Sequence, residues 1–168
     1  MKFSHILSAV LLSILSISLS ARPVLDEKDK REYKVKDFHS IELNGSYEVI
    51  LTQADKSEVM IEASDKVHDA LEVKVKRGVL IFSMDTKNAI LKKTKIYISN
   101  PDFEGIHIRG AANVWSTTGV KSKDLHILTS GAGEVDLDVN VENLDAEIHG
   151  AGNIKLRGQA ESSYMNID

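Results

Sequence analysis

Apolar and polar residues alternate along most of the chain from Phe38 onward. A period of two is typical of β-strands with one face against a core, and apolar residues nowhere recur at helical spacing over about 11 residues. The alternating apolar positions are Phe38, Ile41, Leu43, Val49, Leu51, Val59, Ile61, Leu71, Val73, Val75, Leu80, Phe82, Ile96 and Ile98. Turn-forming residues separate the runs, at Asn44-Gly45, residues 54–57, Arg77-Gly78 and residues 100–102. The pattern predicts an all-β domain, with at most a helical turn in residues 64–70 and 87–93.

A short phrase occurs three times in the C-terminal half, as Gly110-Ala-Ala-Asn-Val, Gly131-Ala-Gly-Glu-Val and Gly150-Ala-Gly-Asn-Ile. The copies begin 21 and 19 residues apart, a period typical of β-solenoid coils. A backbone corner that stacks on similar corners often needs a positive φ and leaves little space for a Cβ atom. The repeat therefore predicts stacked coils of short strands with Gly-rich bends. The predicted turn motif consists of Gly110, Gly131, Gly133, Gly150, Gly152 and Asn153.

Aligning the three copies predicts which side chains face the core. The core-facing positions are Ile106, Ile127 and Ala146, then Ile108, Thr129 and Ile148, and beyond the glycine Val114, Val135 and Ile154. The residues between them are mostly polar and are expected to face water. Residues 164–168 resemble the start of another coil, so we expect an incomplete C-terminal coil with an exposed edge, or a chain that is a fragment.

The N-terminus has the pattern of a secretory signal. Lys2 precedes an uncharged apolar run from Ile6 to Leu19, and small residues follow up to Ala21. We predict a signal peptide over residues 1–21, a charged linker over 22–37 and a single domain over 38–168. A retained N-terminal anchor is the alternative, although the run is short and carries several serines.

Composition narrows the class of protein further. The chain has 25 acidic and 21 basic residues, a net charge of −4 that argues against a nucleic-acid partner. It has no cysteine, which excludes a disulfide framework and a lipid-modified N-terminal cysteine. The Asn44-Gly-Ser46 triplet matches a glycosylation sequon, but an Asn-Gly pair between two alternating segments more simply predicts a hairpin turn.

The chain resembles a known family, the head GIN domain of auto-transporter adhesins. The resemblance covers about residues 38–168 and rests on the segment from Phe38 to Leu51, on residues 76–81 and on the repeated Gly-x-Gly-x-Val/Ile phrase. The first copy of the phrase departs from the pattern at Ala112. The resemblance implies a right-handed parallel β-helix-like solenoid, a location in the envelope or outside the cell, and an adhesive role. It implies no catalytic residues.

Trp115 is the only tryptophan and a candidate binding residue. Val114 is expected to point inward, so alternation directs the Trp115 side chain outward, next to Ser116 and Thr117. An exposed indole beside hydroxyl groups suits contact with a sugar or a protein. A loop folded over the ring is the alternative, because tryptophan is highly buried on average.

A polar row follows on the next predicted strand, formed by Asp136, Asp138 and Asn140. With Glu147 these residues match acidic positions of an EF-hand loop, but Val141 stands where the sharp turn requires glycine. We interpret the row as a solvated strand face and a second candidate binding surface. Weak cation binding on it is an alternative.

Alternation places three histidines on the outer face of the predicted strands, the same face as Glu147. They are His107, His126 and His149. They stand in different columns of the predicted stack, where neighbouring strands are about 4.8 Å apart and a shift of two residues adds almost 7 Å. Their convergence on one ion would need a bend that the pattern does not show. The sequence therefore predicts neither a metal site nor a cofactor.

The same reasoning weighs against an enzyme. Alternation places carboxylates on the outer face whether or not they react, and the sequence shows no catalytic triad motif, zinc-protease helix or phosphate loop. We predict an exported, non-catalytic binding or adhesin-like module of the bacterial envelope or cell surface, whose partner is an envelope component, a glycan or an extracellular protein. Self-association through the ends of the solenoid is the alternative function, and a polysaccharide-active enzyme is a third.

Overall fold

A computed structural model describes residues 29–84 and 94–168, which form one sheet of twelve strands and a short helix. The strands are β1 Asp29–Glu32, β2 Ser40–Gly45, β3 Glu48–Gln53, β4 Glu58–Ala63, β5 Leu71–Lys76, β6 Val79–Met84, β7 Lys95–Asn100, β8 Gly105–Gly110, β9 Asn113–Ser116, β10 Val120–Gly131, β11 Glu134–Gly150 and β12 Asn153–Ile167. The predicted all-β class is confirmed. The predicted signal peptide, residues 1–21, and the possible helical turn at 87–93 lie outside the described residues.

The sheet is mixed. Its strand order is β1-β4-β7-β3-β9-β11-β10-β8-β2-β6-β5, and β12 pairs with β11. The pairs β1/β4, β4/β7 and β5/β6 are antiparallel, whereas the remaining pairs are parallel. The narrower prediction of a right-handed parallel β-helix-like solenoid is therefore not confirmed for the sheet as a whole.

A column of glycines marks the corner at which the chain passes from one parallel group of strands to the next. Gly45, Gly110, Gly131 and Gly150 are register partners, each with a positive φ between 123° and 151°. Backbone hydrogen bonds continue across the corner, for example from Ala132 N to the Gly110 carbonyl at 2.9 Å. A Cβ atom on Gly131 would lie 2.2 Å from that carbonyl oxygen, so glycine is required by both conformation and space.

The other residues of the predicted turn motif also lie in this corner. A Cβ atom on Gly133 would lie 2.8 Å from the Ala112 carbonyl oxygen, and one on Gly152 would lie 2.6 Å from a methyl group of Thr129. Asn153 begins β12, and its amide donates to the Gly133 carbonyl at 2.9 Å. Glycine is required at positions 133 and 152 because successive layers approach closely there, not because of an unusual φ.

The predicted hairpin at Asn44-Gly45 is wrong. β2 and β3 do not pair with each other; β2 pairs with β6 and β8, whereas β3 pairs with β7 and β9. Gly45, with φ +148°, instead forms the first layer of the glycine corner. A signal in the sequence was available, because Val49 follows Gly45 by four residues, as Val114 follows Gly110.

The core-facing columns are confirmed. Ile106, Ile108, Ile127 and Thr129 are completely buried, and the equivalent residues of β11, Ala146 and Ile148, are 5% and 9% exposed. Phe82 and Phe103 are the largest of the fully buried side chains in this core. Burial of these apolar columns is the main favourable term for folding.

Three local features complete the fold. Asp29–Glu32, which the sequence analysis placed in the linker, forms β1 and pairs with β4. The helical turn predicted in residues 64–70 is present as α1, Asp65–Ala70. Arg77 and Gly78 have φ of 53° and 77° in the two-residue turn between β5 and β6, which is the geometry of a tight hairpin.

Within the described residues no helix has the length and apolar character needed to cross a membrane.

The glycine corner predicts a large cost for Gly131→Ala. The added methyl group meets the Gly110 carbonyl and the φ of +145° is strained for alanine, so we expect the free energy of unfolding to fall by about 2 kcal/mol or more in urea titrations. Gly119→Ala is the matched control, because a Cβ atom there meets nothing within 4 Å. Equal stability of the two variants would contradict this account of the corner.

Candidate functional site

Four apolar side chains form a continuous row on the face of the sheet opposite the core. We call this the outer row, and it consists of Met60, Tyr97, Ile50 and Trp115. Each is the register partner of the next, across β4, β7, β3 and β9. Trp115 is 36% exposed, Ile50 is 9% exposed, and Met60 and Tyr97 are half-buried. The row is therefore an apolar strip with an accessible aromatic side chain at one end.

The strands direct this row outward because its members lie between core residues. Val49 and Leu51 on either side of Ile50 are fully buried, as are Val59 and Ile61 on either side of Met60. Successive side chains of a strand point to opposite faces, so the residue between two core residues must face away from the core.

Tyr97 combines an apolar ring with polar contacts. Lys30 Nζ lies 4.0 Å from the centre of its ring, a cation–π arrangement, and its hydroxyl donates to Glu62 Oε2 at 3.1 Å. Burial, and after it the hydrogen bond to Glu62, raises the pKa of Tyr97. The hydroxyl thus stays neutral at physiological pH while the ring remains part of the outer row.

Polar groups border the row on both sides. On one side the hydroxyls of Thr52 and Thr117 are 2.7 Å apart. On the other side Lys95 Nζ lies 3.8 Å from Glu48 Oε2. An aromatic and aliphatic strip between hydroxyl and charged groups can contact the apolar face of a ligand while hydrogen bonds at its edges set the orientation.

Asp136 continues the row beyond Trp115, but a basic side chain already pairs with it. Arg157 lies 2.6 Å from an oxygen of Asp136 and 2.8 Å from one of Asp138, and Lys155 Nζ is 3.7 Å from Asp136. The hydrogen bond from Arg157 lowers the pKa of Asp136. Two of the three predicted row residues thus have their charge compensated within the protein, which disfavours cation binding there.

The predicted binding residues do not form one cluster. Trp115 and Asp136 are register partners, and Asp138 joins them through Arg157. Asn140 is exposed and lies four residues along β11 from Asp136, about 13 Å away, opposite Lys121 and Gln159.

The three histidines behave differently from one another. His149 Nε2 lies 3.2 Å from Glu147 Oε2, whereas His126 Nδ1 lies 3.0 Å from Asp145 Oδ2. The His107 ring contacts the His126 ring edge-on, with centres 5.6 Å apart. Burial, and after it the charge of His126, lowers the pKa of His107.

Sequence reasoning missed most of the outer row. It identified Trp115 but not Ile50, Tyr97, Met60 or Arg157. The available signal was the apolar triplets Val49-Ile-Leu51, Val59-Met-Ile61 and Ile96-Tyr-Ile98, in which an apolar residue also takes the outward position. Such triplets indicate a strand that is apolar on both faces.

The fold and this surface define an all-β protein whose parallel strands turn at a stacked glycine corner and whose outer face carries an aromatic strip. The family model described as "Putative auto-transporter adhesin, head GIN domain" matches residues 37–168. The chain belongs to this family, which confirms the resemblance noted in its sequence. Among curated proteins, none is similar enough in sequence to count as a relative.

Solved structures of other proteins share this fold. A protein from Bacteroides fragilis NCTC 9343 described as a putative adhesin is 30% identical, with a TM-score of 0.78 over 82% of this chain and 65% of its own. One from Parabacteroides distasonis ATCC 8503 described as a putative lipid binding protein is 21% identical, with a TM-score of 0.76 over 84% of this chain and 63% of its own. The chain thus spans slightly less than two thirds of each. A putative adhesin from the same Parabacteroides strain is 17% identical, with a TM-score of 0.66 over 84% of this chain and 70% of its own.

Proposed function

We propose that this protein is an exported, non-catalytic binding module of the bacterial envelope or cell surface, and that the outer row is its contact surface. Its family and the 30%-identical relative, both described as putative adhesins, support a binding role. The signal-like pattern of residues 1–21 supports export. We also propose that the parallel strands form the right-handed solenoid predicted from the sequence. Each of its repeating layers would consist of two strands joined at a glycine corner.

The observation that carries the proposal is the alignment of Trp115, Ile50 and Tyr97 on adjacent strands. The two aromatic side chains are two strand spacings apart, about 10 Å, with Ile50 between them. An aromatic anchor in a partly apolar, polar-rimmed surface is typical of the few residues that dominate a binding interface. A glycan or an extracellular protein matches this surface, since both present apolar patches next to hydroxyl or amide groups.

We expect Trp115→Ala to abolish most of this binding. The purified protein is tested on arrays of bacterial and host glycans and of matrix proteins, and the affinity of any hit is then measured in solution. Loss of an aromatic anchor costs about 2 kcal/mol, so Trp115→Ala and Tyr97→Ala should each weaken binding roughly 30-fold or more.

Tyr164→Ala is the matched control, because Tyr164 is an exposed aromatic residue on β12, outside the outer row. Its affinity should equal that of the parent protein. Specific binding that survives both outer-row substitutions would overturn the assignment of the contact surface.

A second candidate function is self-association through β12. Within the described residues β12 pairs with β11 alone, and its core-facing residues Met165 and Ile167 are 63% and 74% exposed. Together with Ile154 and Leu156 they line an apolar groove on the last of the described layers. An unpaired edge with an apolar face can add another strand from a second copy.

Self-association predicts oligomers that depend on protein concentration. In sedimentation velocity, Met165→Lys together with Ile167→Lys should shift the protein to monomer, because the added charges oppose burial of this face. Gln159→Lys adds a charge at an exposed position of the same strand outside the groove and should leave the oligomers intact. A parent protein that stays monomeric at all concentrations would exclude this function.

A further inference from the structure

A second polar cluster lies on the outer face, on the other side of the glycine corner from the outer row. It consists of His126 on β10 and of Asp145 and Glu147 on β11. Each of these side chains offers one metal-ligating atom, and the three atoms lie within 4.8 Å of one another. We propose that His126, Asp145 and Glu147 form a binding site for a divalent transition-metal cation of the Zn²⁺ type.

The parallel register between β10 and β11 brings the three side chains together. His126 is the register partner of Asp145, and Glu147 lies two residues further along β11 on the same face. The bend that convergence of three histidines would need is unnecessary here, because two of the three ligands are carboxylates on a single strand. The site thus needs one imidazole rather than three.

The donor set fits the chemistry of the proposed ion. Zn²⁺ binds imidazole nitrogen and carboxylate oxygen at about 2.0–2.2 Å, so tetrahedral ligands are roughly 3.3 Å apart. His126 Nδ1 and Asp145 Oδ2 are already 3.0 Å apart. Glu147 needs to move closer by at most about 1.5 Å, which a partly exposed side chain can do by rotation.

The cluster differs from the polar row on the same strand in how its carboxylates are paired. Asp136 and Asp138 pair with Arg157. Within residues 29–84 and 94–168, by contrast, the ion-pair partners of Asp145 and Glu147 are the histidines His126 and His149. Asp145 Oδ1 is also buried and has no hydrogen-bond partner. A carboxylate with an unsatisfied buried oxygen and no cationic side chain is suited to a metal ion.

Neighbouring side chains surround the three ligands. His149 Nε2 lies 3.2 Å from Glu147 Oε2, and its Nδ1 lies 3.2 Å from Asp168 Oδ2, so His149 bridges the Glu147 and Asp168 carboxylates. His107 packs edge-on against His126 and restricts the rotation of that ring. Groups that orient the ligands in this way strengthen metal binding by about 10–100-fold.

Isothermal titration of the purified, tag-free protein with Zn²⁺ after treatment with a chelator tests the site. We expect one ion per chain, and a loss of affinity of at least about tenfold in His126→Gln and in Asp145→Asn. His39→Gln is the matched control: His39 Nδ1 lies 2.9 Å from Glu104 Oε2, but within the described part of the chain this pair is not part of a three-ligand cluster. Zn²⁺ should also raise the melting temperature of the parent and of His39→Gln, but not that of Asp145→Asn.

Unchanged Zn²⁺ affinity in both ligand variants would overturn the proposal, as would an absence of binding by the parent protein. Displacement of Zn²⁺ by equimolar Ca²⁺ would also contradict it, because Ca²⁺ prefers oxygen ligands and should not compete for the imidazole. Circular dichroism verifies that each variant is folded. If either ligand variant is unfolded, Glu147→Gln is used in its place, and the same loss of Zn²⁺ affinity is expected.

Discussion

The contact on which the rest of the structure depends is the stacking of one glycine on the next at the corner of each layer. The carbonyl of Gly110 occupies the space that a side chain on Gly131 would fill, and hydrogen bonds pass through the corner without a break. Because strand side chains alternate with a period of two, a slip of one residue would exchange the core and solvent faces of a whole layer. The corner therefore determines which side chains are buried and which are presented.

Both candidate sites follow from this register, on opposite sides of the corner. Beyond the corner, β3, β9 and the start of β11 bring Ile50, Trp115 and Asp136 into one line. Before it, β10 and the end of β11 place His126 beside Asp145. The long strand β11 contributes to both, with its acidic residues compensated by Arg157 in the first region and faced by histidines in the second. One backbone arrangement thus presents the apolar outer row and, separately, the cluster of His126, Asp145 and Glu147.

The features that depend on local sequence could be predicted, and those that depend on strand order could not. Alternation identified the core columns, and the repeated phrase identified Gly131 and its partners as corners. Gly45 was misassigned because the next layer of its column, Gly110, is 65 residues away, so the spacing of the other copies did not reveal it. The outer row was missed for a similar reason: in the spatial order β4-β7-β3-β9, no two neighbouring strands follow each other in the chain. Arg157 compensates Asp136 from the following strand, a contact that alternation alone does not specify.

The register across the corner is the most direct test of this account, and the lack of native cysteines makes it accessible. Asn113 and Glu134 are outward-facing register partners, whereas Asn113 and Asp136 are offset by two residues. Paired strands are about 4.8 Å apart, within the Cα separation that a disulfide spans, and the offset adds almost 7 Å along the strand. With cysteines at 113 and 134, we predict complete intramolecular crosslinking under mild oxidation, and with cysteines at 113 and 136 almost none. Equal crosslinking of the two pairs would contradict the stacked register and, with it, both surfaces derived from it.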